Sequence, residues 1–105
     1  MSNQRIMATE FNSKVERFKQ LTGEMCALYA KKNKDYGNSF TEMYKEWGEM
    51  YPMSRMQEKL RRATQLLRTG EAQVTEEKVT DTLLDLANYA LMTILEIKEG
   101  NGESK

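Results

Sequence analysis

The sequence predicts an all-α fold, a helical bundle of three long helices and one short helix. Apolar residues recur every three to four positions through most of the 105-residue chain, which is the spacing that gives a helix one apolar face. No stretch alternates apolar and polar residues for long enough to predict a strand. Glycines fall where the helical spacing breaks off, at Gly37, Gly48, Gly70 and Gly100, so each predicted helix ends at a residue that disfavours its continuation.

The first helix is predicted from about Thr9 to Asn33. Its apolar stripe consists of Phe11, Val15, Phe18, Met25, Leu28 and Tyr29. A turn is predicted to follow at residues 34–37, because Gly37 suits left-handed conformations. The short helix then runs from about Phe40 to Gly48, with Ser39 as the N-cap of a capping box.

The third helix is predicted to start after Pro52, which interrupts the apolar pattern. Ser54 has a Gln three residues later and is the expected N-cap. The predicted apolar face holds Met56, Leu60, Ala63 and Leu67, and the helix is expected to end at about Thr69.

The fourth helix is predicted from about Thr75, as N-cap, to Glu99. It is apolar over about half its circumference, counting Val79, Leu83, Leu84, Leu86, Ala87, Ala90, Leu91, Ile94, Leu95 and Ile97. That is more apolar surface than its companion helices cover, so we expect a second copy of the chain to complete the bundle, as a homodimer or higher homo-oligomer. Residues 1–100 would form one helical domain, and 101–105 a flexible polar tail.

Composition argues against several classes of protein. Sixteen Lys and Arg residues balance sixteen Asp and Glu residues, so nucleic acid is not an expected partner. No apolar run approaches the roughly 20 residues of a membrane span, and the N-terminal residues lack the apolar core of a signal peptide, so we expect a cytoplasmic protein without membrane contact. The chain has no His and a single Cys, so enzymatic proton transfer would fall to carboxylates, Lys, Tyr or a metal-bound water.

An acidic line is predicted on the fourth helix, where Asp81, Asp85 and Asn88 lie within about 60° of one another. Asp and Asn are poor helix formers, and two carboxylates one turn apart repel. One interpretation is a solvated face; the other is a site for Mg²⁺, which is typically held by one or two carboxylates plus waters and phosphates. Glu77 is a further ligand or base, or simply a first-turn acid favoured by the helix dipole.

A basic row is predicted on the third helix, where Arg55, Lys59 and Arg62 share one face with Glu58 beside them. This is either a solvated face with a Glu58–Arg62 surface pair or a phosphate-binding row opposite the acidic line. In the second case, metal and cations would neutralise a polyphosphate together. The sequence leaves open whether the two faces meet within one subunit or between two.

The segment from Lys34 to Gly37 also allows two interpretations. It is either a helix exit with an aromatic ring packed beneath it or part of a binding site. In the binding site, Lys34 would reach phosphate, Tyr36 would stack on a base, and Gly37 would permit close backbone approach.

Three segments, "KNKDYGNSF", "SRMQEKLRR" and "EEKVTDTLLDLANYA", resemble in order the first nucleotide modification associated domain family, small helical domains common in phages and prophages. The resemblance covers about residues 25–97. That family is similar to the MazG-type all-α pyrophosphatases, which use Mg²⁺ held by carboxylates to convert nucleoside triphosphates into monophosphate and pyrophosphate. The location implied for a phage-encoded protein is the host cytoplasm.

The resemblance implies a Mg²⁺-dependent nucleoside triphosphate pyrophosphohydrolase, with Mn²⁺ as an alternative ion. The implied metal ligands are Glu58, Glu77, Asp81 and Asp85, and Glu58, Asp81 and Asp85 are also the implied catalytic residues. The implied substrate-binding residues are Lys34, Asp35, Tyr36, Gly37, Arg55, Lys59, Arg62 and Asn88. The chain departs from the E-x-x-E and E-x-x-D pattern of the pyrophosphatases, with Arg61 and Lys78 at two acidic positions, which leaves open a single metal ion or binding without cleavage.

Two other functions fit the sequence. One is a non-catalytic nucleotide-binding or regulatory module that uses the same residues. The other is a helical interaction protein whose adaptable contact surface consists of Met43, Trp47, Met50, Tyr51, Met53 and Met56, a set that would equally serve core or dimer packing.

Overall fold

The computed structural model describes the backbone of residues 2–36, 38–70 and 72–100, and the side chains there apart from 2–9, 11, 35–36 and 72–77. The described residues form four helices and no strand: α1 (Ser2–Tyr36), α2 (Ser39–Trp47), α3 (Met50–Thr69) and α4 (Ala72–Lys98). The predicted all-α class, with three long helices and one short one, is therefore confirmed. The proposed tail, residues 101–105, lies outside the described residues.

The chain divides into two compact units, Met1–Asp35 and Tyr36–Lys105. The first consists of α1, in which Met25 is buried while the predicted stripe residues Val15, Phe18 and Leu28 are exposed. The second contains α2, α3 and α4. The organisation of residues 1–100 as one domain stays a prediction.

The turn predicted at residues 34–36 is wrong, because α1 continues to Tyr36. Lys34 lies in the last turn of the helix, where a cation interacts favourably with the helix dipole. The next residue in the sequence, Gly37, disfavours a helix, and it lies outside the described residues.

The α2 helix begins one residue earlier than predicted. Asn38 is its N-cap residue and makes no side-chain capping bond; its carbonyl accepts a hydrogen bond from the Glu42 N–H at 3.0 Å. Ser39 is therefore the first helical residue, and its predicted role as N-cap is wrong. Gly48 ends the helix with φ +73°, a backbone conformation that favours glycine.

The α3 helix begins at Met50, so the predicted start after Pro52 is wrong. Proline is tolerated in a first turn because the N–H groups there have no acceptor within the helix. Pro52 is buried, and the Ser54 hydroxyl donates to the Tyr51 carbonyl at 2.9 Å within the same helix. The predicted end at Thr69 is confirmed.

The α4 helix begins at Ala72, so the predicted N-cap, Thr75, lies inside the helix. Ala72 and Gln73 are good helix formers, which explains the earlier start. The helix ends at Lys98, one residue before the predicted end, and Gly100 follows with φ +76°.

The core of the second unit lies where α3 packs against α4. Ala63 on α3 and Val79, Thr82 and Thr93 on α4 are buried. The two threonine hydroxyls donate to the Lys78 and Tyr89 carbonyls within α4, at 2.7 and 2.6 Å. These buried polar groups therefore keep hydrogen-bond partners, as burial requires.

A large part of the predicted apolar surface is exposed. Leu60 and Leu67 on α3 are 55% and 69% exposed, although both were predicted on the packed face with Ala63. Five residues of α4 are also exposed: Leu83, Leu91, Ile94, Leu95 and Ile97. The homo-oligomer predicted from this excess of apolar surface stays a prediction.

None of the described helices is both long and apolar enough to cross a membrane. The cytoplasmic location stays a prediction.

Candidate functional site

The acidic line of α4 meets the basic row of α3 within one subunit. Lys59 Nζ lies 3.0 Å from Asp85 Oδ2, and the two side chains are 30% and 34% exposed. This contact answers the question that the sequence left open. We call the surface formed by Lys59, Arg62, Asp81, Asp85 and Asn88 the α3–α4 seam.

The acidic line has the arrangement that the sequence predicts, since all three of its residues lie in one continuous helix. Asp85 and Asn88 are half-buried, and Asp81 is exposed. Asp81 makes no hydrogen bond or ion pair with any described residue. An exposed carboxylate with no hydrogen bond or ion pair to the described residues therefore lies one turn from the Asp85 carboxylate, where a cation could reach it.

The basic row is split between two environments. Lys59 is half-buried against Asp85, whereas Arg62 is exposed and forms no ion pair within the described part of the chain. Glu58 pairs with Arg55, with 3.4 Å between Arg55 Nη1 and Glu58 Oε1, rather than with Arg62. The Arg62 guanidinium is therefore available to an anionic ligand.

The seam supplies two carboxylates for a cation. Within the described residues, no three acidic side chains lie close enough together to hold one metal ion, so Glu58 does not join Asp81 and Asp85 in such a group. The Glu77 side chain lies outside the described residues. The hard oxygens of Asp81 and Asp85 fit Mg²⁺, which commonly takes one or two carboxylates and completes its shell with water and phosphate. The metal roles predicted for all four residues stay predictions.

The remaining predicted residues lie at the end of α1 and after it. Lys34 is exposed in the last turn of α1. The side chains of Asp35 and Tyr36, and Gly37 as a whole, lie outside the described residues. The roles predicted for these four residues stay predictions.

Three aromatic rings from three helices meet beside the seam. The Phe40 ring centroid lies 5.4 Å from that of Tyr51 and 6.1 Å from that of Tyr89, and all three residues are half-buried. We call Phe40, Tyr51 and Tyr89 the aromatic cluster. This cluster was not predicted from the sequence, where only Tyr51 was assigned to a contact surface. The spacing was a usable signal, because Tyr89 follows Asp85 by one helical turn and Tyr51 precedes Arg55 by one.

Arg55 of the basic row contacts the aromatic cluster. Its Cζ lies 5.7 Å from the centroid of the Tyr51 ring, within the range of a cation–π interaction. The Tyr51 side chain, followed by Tyr89, raises the pKa of Arg55 above its ordinary value. The guanidinium therefore stays charged beside two phenol rings.

A buried polar contact connects α2 to α4. The Thr41 hydroxyl donates to Glu96 Oε2 at 2.5 Å, and Glu96 is buried. Tyr44 is buried beside them, and this burial raises the pKa of its phenol, with further contributions from Glu49 and Glu96. The Thr41–Glu96 hydrogen bond and the Phe40–Tyr89 ring contact therefore join neighbouring positions of α2 to α4.

The methionine and aromatic set of the interaction-protein hypothesis does not form one core. Trp47, Met50 and Met53 are exposed, at 63%, 71% and 41%. Met43, Tyr51 and Met56 are half-buried. A contact surface formed by the exposed members stays a prediction.

Comparison with known proteins identifies the family but gives no individual relative. A search of curated proteins and a search of solved structures each returned no match, and the relationship to the MazG-type pyrophosphatases stays a prediction. The sequence profile described as nucleotide modification associated domain 1 matches residues 32–97. That segment includes every residue of the α3–α4 seam and of the aromatic cluster. The chain therefore belongs to the nucleotide modification associated domain 1 family.

Proposed function

We propose that this protein binds nucleoside triphosphates at the α3–α4 seam and hydrolyses them to monophosphate and pyrophosphate in a Mg²⁺-dependent reaction. The observation that carries the proposal is the 3.0 Å contact between Lys59 and Asp85. It brings carboxylates suited to a divalent cation and side chains suited to phosphate onto one surface of one subunit. Membership of a family associated with nucleotide modification supports a nucleotide as the ligand.

Lys59 and Arg62 form the phosphate-binding part of the proposal. Arg62 is exposed and without an ion pair to any described carboxylate, and Lys59 is partly exposed. Both cations can therefore turn to a ligand, and charge-assisted hydrogen bonds to phosphate are stronger than neutral ones. Together they would stabilise negative charge on the phosphoryl oxygens during hydrolysis.

Asp81 and Asp85 form the cation-binding part. When bound, Mg²⁺ or Mn²⁺ supplies charge neutralisation for the phosphoryl group and lowers the pKa of a water molecule. A carboxylate of the acidic line would accept the proton of the attacking water. Asn88, half-buried on the same line, can donate and accept hydrogen bonds to the sugar or the base.

Release of pyrophosphate from a panel of ordinary and modified deoxynucleoside triphosphates tests the proposal. The assay is run with Mg²⁺, with Mn²⁺ and with EDTA. We expect release from one or a few members of the panel, and none in EDTA. No release from any member, in folded protein that still binds nucleotide, would contradict hydrolysis.

A nucleotide-binding module without catalytic activity is the second candidate. It is favoured by the small number of carboxylates at the seam, because no group of three acids is found among the described residues. Calorimetry distinguishes the two candidates, since binding of a nucleoside triphosphate without turnover supports the module.

A further inference from the structure

We propose that the aromatic cluster, together with Arg55, is the nucleobase subsite of the α3–α4 seam. The inference rests on the proposed function, since it assigns the base of the same nucleotide whose phosphates would bind Lys59 and Arg62. It goes further by naming residues that select an aromatic ligand over a bare polyphosphate.

The spacing along both helices supports this assignment. On α3, Tyr51, Arg55 and Lys59 follow one another at intervals of one turn, which is a rise of about 6 Å. On α4, Tyr89 lies one turn from Asp85, the partner of Lys59. The aromatic cluster and the charged part of the seam are thus neighbours on one surface, and a ribose separates a base from its phosphates by a distance of this order.

Partial burial leaves ring surface available to a ligand. Tyr44, whose ring centroid lies 6.5 Å from that of Phe40, is only 1% exposed. The fold can therefore bury a ring completely at this place. Phe40, Tyr51 and Tyr89 are all only half-buried, so part of each residue stays accessible to a ligand.

Arg55 adds a second planar group to the subsite. Its guanidinium lies over the Tyr51 ring, and both guanidinium planes and tyrosine rings are surfaces on which bases stack. The Arg55–Glu58 pair is exposed, at 47% and 68%, so rearranging it costs little. This assigns to Arg55 a contact with the base in place of the phosphate contact that the sequence predicts.

The test compares two ligands by calorimetry with Mg²⁺ present: inorganic tripolyphosphate, and deoxynucleoside triphosphates with an α,β-imido bridge that resists hydrolysis. The variants are Tyr89→Leu, which removes a ring, and Arg55→Ala, which changes an exposed side chain and should fold even where Tyr89→Leu does not. Tyr29→Leu is the matched control, because Tyr29 is also a half-buried tyrosine but lies in α1. Circular dichroism is used to check whether each variant is folded.

We expect the wild type to bind at least one imido analogue about 5- to 150-fold more tightly than tripolyphosphate, the range that base stacking on one aromatic residue provides. Tyr89→Leu and Arg55→Ala should remove most of this preference without changing the affinity for tripolyphosphate, and Tyr29→Leu should retain it.

Three results would overturn the inference. Equal affinity of the wild type for all analogues and tripolyphosphate would show that the seam binds phosphates without a base subsite. A parallel loss of affinity for both ligands in Arg55→Ala would show that Arg55 contacts phosphate and not the base. Binding of neither ligand by the wild type would remove the proposed function itself, and the nucleobase subsite with it.

Discussion

The ion pair with Lys59 bears on why α4 contains Asp85, a residue that disfavours a helix. Aspartate is about 0.6–0.7 kcal/mol worse than alanine in a helix interior, and a partly exposed ion pair contributes about 0–1 kcal/mol. The contact with Lys59 is therefore of a size that can offset the cost of Asp85. The same cost at Asp81 has no such compensation among the described residues, and a cation bound at this carboxylate stays a prediction.

Tyr44 gives a prediction about pH. Burial, then Glu49 and Glu96, raise its pKa above the ordinary 10.0, so above about pH 10 the unfolded chain loses a proton that the folded chain keeps. The contribution of Tyr44 to the free energy of unfolding is fully present below about pH 10 and is lost as the pH rises through the folded-state pKa. We expect urea unfolding at about pH 9 and 11 to show a smaller loss of stability in Tyr44→Phe than in the wild type. An equal loss in both would contradict this account.

The residues of the seam could be predicted from the sequence because each row lies within one helix. The spacing of Asp81, Asp85 and Asn88 fixes a common face as soon as the segment is helical. The pairing of Lys59 with Asp85 and the meeting of Phe40 with Tyr89 join residues of different helices. Such contacts depend on how helices pack, which the period of a single helix does not determine.

At the scale of elements, Gly48 is predicted to resist substitution. Its φ of +73° and ψ of −160° lie in a region that is almost restricted to glycine. Apart from the two chain neighbours of Gly48, no described residue lies within 4 Å of an added Cβ, so the cost of Gly48→Ala would come from backbone strain, about 1–3 kcal/mol. Gly23→Ala, in the interior of α1 and also without a Cβ contact, is the control and should stabilise the protein by about 0.5–1 kcal/mol. Urea unfolding that shows the same sign for both variants would be incompatible with this interpretation.

The hydrogen bond between Thr41 of α2 and Glu96 of α4 gives a second prediction about the packing of the helices. Thr41→Val keeps the side-chain shape but removes the hydroxyl that donates to Glu96. An intramolecular hydrogen bond contributes about 0.5–1.5 kcal/mol, and we expect a loss of that size in chemical unfolding. Thr64→Val is the control, because its exposed hydroxyl bonds only to the Leu60 carbonyl of its own helix and its loss should cost less. Similar losses in the two variants would show that the Thr41–Glu96 contact does not stabilise the fold.

The helix boundaries show where local signals mislead. Pro52 and Thr75 carry the usual marks of a helix start, yet both lie inside helices. A proline is compatible with the first turn of a helix as well as with a break before one, and a threonine can be an N-cap or an interior residue. The period of the apolar residues was the more reliable signal, since it identified all four helices.

The exposed apolar residues of α4 predict that the protein self-associates. Leu83, Leu91, Ile94 and Ile97 of α4 are each about half exposed, at 44%, 49%, 46% and 52%. Burying such surface against a second copy is favourable at about 25 cal/mol per Å². Sedimentation velocity at micromolar concentration should show a dimer or a larger species, and a monomer under those conditions would remove the prediction.

The proposed active site at the α3–α4 seam is tested by comparing pyrophosphate release by Asp85→Asn with release by the wild type, on the best substrate and with Mg²⁺. Glu16→Gln is the matched control, because Glu16 also pairs with a lysine, Lys19, at 3.5 Å, but on the exposed surface of α1. We expect a loss of at least about tenfold in Asp85→Asn, since even the substitution of residues that only support a metal ligand commonly costs 10–100-fold in activity, and no loss in Glu16→Gln. Full hydrolysis by Asp85→Asn would contradict the assignment of the α3–α4 seam as the active site.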